Sequence, residues 1–142
     1  MFLGEYQHTI DSKGRVVLPA RFRDRLDEGC VVTKGQERCL YVFPLDRWED
    51  EVTKVSRLPR TDARARRYQR SFFAGASQDS LDKQGRVSVP QNLRDYAGLE
   101  RDVAVLGVSD HIELWAAEEW ERLSSEADEY YANIEEALTD DI

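Results

Sequence analysis

The chain contains itself twice, and nothing else in it limits the fold as strongly. The run Ile10-Asp11-Ser12-Lys13-Gly14-Arg15-Val16-Val17-Leu18-Pro19 returns 71 positions later as Leu81-Asp82-Lys83-Gln84-Gly85-Arg86-Val87-Ser88-Val89-Pro90. At the same offset Phe2 matches Phe73, Gly4 matches Gly75, Gln7 matches Gln78, and Arg23-Asp24 matches Arg94-Asp95. Beyond that block the offset becomes 72: Leu40-Tyr41-Val42-Phe43 meets Ile112-Glu113-Leu114-Trp115, and Trp48 meets Trp120. One inserted residue between matched elements is what a loop absorbs, so the correspondence reads as a tandem duplication of one small unit. A unit of about 70 residues buries too little surface to be robust alone. Two such units should therefore lean on each other or on neighbouring subunits.

Each repeat predicts the same elements. An opening strand (Leu3 to Thr9; Ala74 to Ser80) leads into a tight D-x-x-G-R turn, and a short strand follows (Arg15 to Leu18; Arg86 to Val89). Pro19 and Pro90 then open a short helix, because proline at the first helical position loses no needed N–H. Leu18, Phe22 and Leu26, like Val89, Leu93 and Ala97, recur at i, i+4, i+8 and give that helix one apolar face. Gly29 is placed to stop the first of these helices. Two further strands follow in each repeat, Cys30 to Thr33 with Leu40 to Phe43, and Val103 to Leu106 with Ile112 to Trp115. A closing helix begins near Leu45 in the first repeat and near Ala116 in the second. The expected layout is 1–56 for the first unit, 57–72 for a connecting helix, 73–126 for the second unit and 127–142 for an acidic helical tail.

Charge is divided unevenly between the halves. Residues 1–70 carry 15 Lys and Arg against 11 Asp and Glu, and residues 71–142 carry 5 against 17. A net of +4 beside a net of −12 implies a basic working surface on an acidic body, which would suppress non-specific polyanion binding. The segment between the repeats holds Arg57, Arg60, Arg64, Arg66, Arg67 and Arg70. Leu58-Pro59 breaks the helix before it and Thr61-Asp62 can cap the next. The simpler reading of this run is a solvated connector whose arginines pair with the acidic half; direct contact with DNA is the alternative. Cys30 and Cys39 have neither zinc-knuckle nor redox spacing, and read as buried thiols of a cytoplasmic protein with no structural metal and no cofactor. No early apolar run follows a basic start, so no signal peptide is expected, and no run reaches membrane length.

The turn carries the chemistry. Asp11 and Asp82 can bond the backbone two residues on, and Gly14 and Gly85 supply the positive φ of a tight reversal. Arg15 and Arg86 then leave on the next strand, each presenting a planar fork suited to phosphate oxygens or to the O6/N7 edge of guanine. Lys13 adds a mobile charge at the tip of the first turn, and Lys83 stands one place earlier in the second. Internal Asp11–Arg15 and Asp82–Arg86 ion pairs that merely pin the turns would use the same spacing. The two roles are compatible, since a carboxylate that orients an arginine preorganises it for a ligand.

The paired Asp-x-x-x-Arg motifs, the opening Met1-Phe2-Leu3-Gly4-Glu5-Tyr6 and the block Gly14-Arg15-Val16-Val17-Leu18-Pro19-Ala20 together resemble the MraZ family, over nearly the whole chain up to about Glu126. The resemblance implies an α+β, β-rich fold. Tandem swapped-hairpin units of the SpoVT/AbrB type would form a barrel-like core with peripheral helices. It implies a ring of about eight or more subunits, bound to direct repeats of double-stranded DNA in the promoter of its own operon, which controls division and cell-wall genes. Carried over by motif, Lys13, Arg15 and Arg86 are the expected DNA contacts, with Lys83 a weaker match because its lysine is shifted. Cytoplasmic, nucleoid-associated localisation follows from such a role.

Three other classes compete. Catalysis lacks a Ser-His-Asp or Cys-His constellation and a phosphate-binding glycine loop, and His8 and His111 occupy unmatched positions. An antitoxin of the same fold class would bind operator DNA as a dimer, normally with one unit and a disordered tail. A scaffold ring would contact protein only. In the last segment Trp120, Leu123, Ala127, Tyr130 or Tyr131, Ile134 and Leu138 recur at helical spacing, which reads as a stripe packed on its own chain or on a neighbour. Recruitment of a partner through Tyr130-Tyr131 is the sharper reading, and Thr139 to Ile142 reads as a frayed end.

Overall fold

A computed structural model describes residues 1–135; Leu138 and the expected frayed end at Thr139 to Ile142 lie outside the described residues. In chain order the elements are β1 (Phe2–Thr9), β2 (Arg15–Val17), α1 (Ala20–Arg23), β3 (Cys30–Lys34), β4 (Leu40–Pro44), α2 (Leu45–Ser56), α3 (Ala63–Gln69), β5 (Ser77–Asp79), β6 (Arg86–Ser88), α4 (Gln91–Ala97), β7 (Asp102–Ser109), β8 (His111–Ala116) and α5 (Ala117–Asn133). The class is α+β and strand-rich, as the resemblance implies.

Sheet pairing interlocks the repeats. Six strands form one antiparallel sheet in the order β1-β7-β8-β4-β3-β5. The opening strand of each repeat pairs with the third strand of the other. Thus β1 lies along β7 from Phe2 opposite Ser109 to Thr9 opposite Asp102, and β5 lies on β3 from Val32 opposite Ser77 to Cys30 opposite Asp79. The hairpins β3–β4 and β7–β8 meet at the β4–β8 seam. The second strands leave this sheet and pair with each other, β2 with β6, and Val16 of β2 also bridges to Ile10 just after β1. The swapped-hairpin architecture is therefore present, although β1 and β5 remain as sheet edges and the barrel is not closed.

One core serves both repeats. Val16 and Val87 from the ribbon, Phe2 from β1, Val32 and Val42, and Val105, Ile112 and Leu114 pack together with Leu18, Phe22, Leu26, Val89, Leu93 and Ala97. The i, i+4, i+8 faces of both short helices are buried in it. Phe22 takes the edges of two rings on β1, Phe2 at 5.2 Å and Tyr6 at 5.4 Å, which fastens the first helix to the exchanged strand. Each such large side chain contributes about 1.5–3 kcal/mol by burial. Gly29, at φ 115°, ends the turn after α1, and Gly98 ends α4 in the left-handed region at φ 64°.

The second opening strand is shorter than its sequence suggests. The helix that starts at Ala63, capped by Asp62 accepting from the Arg64 amide at 2.8 Å, continues past Gln69 as a π-helical turn through Ala74. Phe72 anchors it: its ring stacks at 5.2 Å on Trp48 and its carbonyl accepts a buried 2.6 Å bond from Thr33 Oγ1. The chain becomes extended only at Ser77, three residues after the Ala74 expected from the repeat.

The arginine run does not pair with the acidic half among the described residues. Arg64 binds Asp62 at 2.9 Å, and Arg66 donates to the Arg60 carbonyl at 2.7 Å. Helix α5 packs by its first half, where Trp120 meets Trp115 at 5.5 Å and donates to Glu5 Oε1 at 2.9 Å. From Ser125 to Glu135 every residue is exposed. Among the described residues no helix is long and apolar enough to cross a membrane.

Candidate nucleic-acid interface

The β2–β6 ribbon is two-faced because strand side chains alternate. Val16 and Val87 point inward and are fully buried, while Arg15 and Val17 on one strand, and Arg86 and Ser88 on the other, point outward. Arg15 stands opposite Ser88 and Arg86 opposite Val17, so the two arginines are diagonal neighbours on one face. Each is delivered by its own turn, one at either end of the ribbon.

Both turns have the same internal wiring. Asp11 Oδ1 accepts from the amides of Lys13 at 3.0 Å and Arg15 at 2.9 Å, and its Oδ2 accepts from Arg15 Nε at 2.7 Å. In the second repeat Asp82 Oδ1 accepts from the amides of Gln84 and Arg86, both at 2.9 Å, and Oδ2 accepts from Arg86 Nε at 2.7 Å. Hydrogen bonds from the arginine amide, backed by its guanidinium, hold both carboxyls below their ordinary pKa. Each ion pair engages the Nε side of a guanidinium. Nη1 and Nη2 of Arg15 make no hydrogen bond among the described residues, and Nη1 of Arg86 leans towards Asp11 at 3.8 Å. Lys13 and Lys83 are exposed beside the arginines.

Each turn is also stitched to the opposite repeat. The Gly14 carbonyl accepts from the Val89 amide at 2.7 Å, and the Gly85 carbonyl accepts from the Leu18 amide at 3.0 Å. Both glycines have positive φ, 80° and 74°. A Cβ on Gly14 would fall 2.7 Å from the Val89 carbonyl oxygen and 2.8 Å from Arg94 Cζ, and one on Gly85 would strike the guanidinium of Arg23. Arg23 and Arg94 thus lie across the turns of the other repeat, and Arg23 is fixed there by a 3.0 Å bond to the Leu18 carbonyl. The motif reading missed these two arginines. Their match at offset 71 was the available signal.

All four expected cations, Lys13, Arg15, Lys83 and Arg86, therefore belong to one ribbon and its two turns, shaped by Asp11, Gly14, Asp82 and Gly85. Cys30 and Cys39 lie apart from this site, buried and free of any disulfide, and the Cys39 thiol donates to the Gln36 carbonyl at 3.3 Å. Among the described residues no group of three or more His, Cys, Asp or Glu side chains is placed to hold a metal ion.

A family described as "MraZ protein, putative antitoxin-like" matches the chain twice, over residues 1–71 and 72–142. Its boundary falls at the offset found in the sequence. A relative from Natranaerobius thermophilus named "Transcriptional regulator MraZ" is 45% identical over 99% of this chain and 98% of its own length. Relatives of the same name from Desulforamulus reducens and Desulfitobacterium hafniense are 46% and 48% identical, covering 99% and 97% of this chain and 99% and 96% of their own. With the same family found in each half and relatives aligned almost end to end, this chain belongs to the MraZ family.

Proposed function

We propose that the chain is a transcriptional regulator that binds DNA in a sequence-specific manner through the outer face of the β2–β6 ribbon. The reading rests on the name its relatives carry and on one observation: two arginines share a face, each held by its own carboxylate through Nε. A two-stranded ribbon fits the major groove, and an arginine held by one edge retains donors for guanine or phosphate. Arg15 and Arg86 are the central contacts, Lys13 a phosphate contact at one turn and Lys83 a weaker one at the other.

The target, by family resemblance, is a set of direct repeats upstream of the chain's own operon, read in the cytoplasm at the nucleoid by a ring of about eight or more subunits. Rotationally related subunits present the same face in one direction, and so suit direct repeats about one helical turn apart better than a palindrome. The chain acts by binding and not by catalysis.

Fluorescence anisotropy against the native upstream DNA and a scrambled control, over a salt series, tests the reading. Wild type should prefer the native DNA and weaken with salt, and Arg15→Ala and Arg86→Ala should each lose about 1–3 kcal/mol. Equal affinity for both DNAs, or full binding by both variants, would return the arginines to a purely structural role.

A further inference from the structure

Two surfaces outside the ribbon are opposite in charge, one a basic aromatic groove and the other an acidic helix face. The first is a groove of about 400 Å³ between α3, the β3–β4 loop and α4. Lys34, Arg64 and Arg67 supply its charge, and Tyr68, Phe72 and Tyr96 its aromatic walls. Its lining includes no carboxylate. Lys34 Nζ lies 5.4 Å over the Tyr96 ring, and Tyr96 is fixed by a 2.6 Å bond to the Gly35 carbonyl. Arg64 extends into solvent, its side chain 88% exposed. The aromatic walls are therefore preformed, and Arg64 is engaged by an exposed pair with Asp62 at 2.9 Å, a contact that contributes little in water and can be exchanged for another carboxylate.

The second surface is the distal half of α5. It carries Glu126, Asp128, Glu129 and two tyrosines without a basic residue between them. Tyr131 is 82% exposed and Tyr130 66% exposed. Tyr130 borders a cavity with Glu113, Trp115 and Trp120 of its own chain, and Tyr131 is the barer of the two. An exposed tyrosine flanked by carboxylates is common at interfaces, where tyrosine fills a pocket and charges guard its rim. The helix is fixed at its base on β7 and β8, and no residue of α5 lines the basic groove.

We propose that the acidic distal half of α5 in one subunit docks in the basic aromatic groove of a second copy, with Tyr131 as the anchor. Its ring would enter among Tyr68, Phe72 and Tyr96, while Asp128 and Glu129 meet Arg64 and Arg67. Because the two patches differ, the contact is head to tail: every subunit offers one donor helix and one acceptor groove, and the assembly must close or keep growing. The proposal takes from the preceding reading only that the chain self-associates, and it assigns the faces that do so. It also gives the arginine run a role apart from DNA.

Charge exchange tests it, read as solution mass by light scattering after size exclusion, with circular dichroism to confirm folding. Arg64→Glu/Arg67→Glu and Asp128→Lys/Glu129→Lys should each fall to the mass of a single chain, since in each the two faces then carry like charge. An equimolar mixture should return to the wild-type mass, because every contact in an alternating assembly is again between opposite charges. Tyr131→Ala, which leaves every charge in place, should raise the assembly concentration by about tenfold or more. If the wild type is assembled and either pair variant stays assembled, or the mixture stays monomeric, this interface is overturned while the ring reading stands. A wild type that is monomeric at all concentrations overturns both.

Discussion

Nη1 of Arg86 lies 3.8 Å from Oδ2 of Asp11, the same oxygen that accepts from Arg15 Nε at 2.7 Å. One carboxylate of the first repeat thus faces the arginines of both. Asp82 pairs with Arg86 alone among the described residues. The two motifs match in sequence but are unequal in wiring.

Asp11→Ala should therefore weaken DNA binding by about tenfold, the scale of a lost charge-assisted hydrogen bond, and more than Asp82→Ala does. Simple charge counting predicts the reverse, since removing an anion beside DNA should tighten binding. Anisotropy titrations of the two variants decide between these outcomes, and tighter binding by Asp11→Ala would remove the orienting role.

Alanine at the turn glycines should separate backbone strain from crowding. Gly98 has φ 64° and nothing within 4 Å of an added Cβ, so Gly98→Ala should cost only about 1 kcal/mol for the left-handed backbone. Gly14 has φ 80° and the Val89 carbonyl 2.7 Å from the same position. Gly14→Ala should cost clearly more in urea unfolding, and should lower DNA affinity by displacing the ribbon's far strand. Equal costs at the two sites would mean that the turn yields freely.

These turns show how far the sequence could be read. The Asp, Gly and Arg positions follow from turn chemistry, and the strands and short amphipathic helices follow from periodicity, because both are local properties. Which strand pairs with which is not local: β1 and β3 have the same alternation whether each pairs inside its repeat or across it, and only the family resemblance implied the exchange. Arg23 and Arg94 look like ordinary helix residues until the opposite repeat is folded against them. The late start of β5 depends on Phe72 finding Trp48, some two dozen residues earlier in the chain.

Stability should depend on His111 near neutral pH. Burial opposes its charge, but hydrogen bonds and charge from Glu113 and Asp110 outweigh burial and hold its pKa above 6.5. Nδ1 lies 2.8 Å from Asp110 and Nε2 3.2 Å from Glu113, while Arg47 of α2 binds Asp110 at 2.8 Å and the rings of Tyr41 and Phe43 on β4 pack against the imidazole. A raised folded pKa stabilises fully below the unfolded value, and that contribution is lost as pH rises through the folded value. The His111 contribution to the urea midpoint should therefore fall as pH rises above 6.5, against the opposite trend of His8, whose pKa burial lowers, and His111→Gln should remove that fall. An unchanged slope in the variant would assign the pH dependence to other groups.

Both thiols should resist modification in the folded protein. Burial, aided by the charge of Asp79, pushes Cys30 up to about 12, and burial raises Cys39 as well. The thiolate is the reactive form. Native protein at pH 8 should take up no iodoacetamide by mass spectrometry, and protein in urea should take up two equivalents. Rapid labelling of the native chain would reveal opening of the β3–β4 hairpin.

The exchange of β1 and β5 makes each half the missing piece of the other. Cut between Gln69 and Ser77, the chain would give two fragments that each lack a strand and share an opened core, so each should be unfolded alone and regain structure only when mixed. Covalent linkage turns that encounter into an intramolecular one, independent of how dilute the protein becomes. It also lifts the constraint a symmetric pair of identical units would impose. Each copy is then free to specialise, one keeping its positive charge and the other accumulating acid, while the seam between them stays shared.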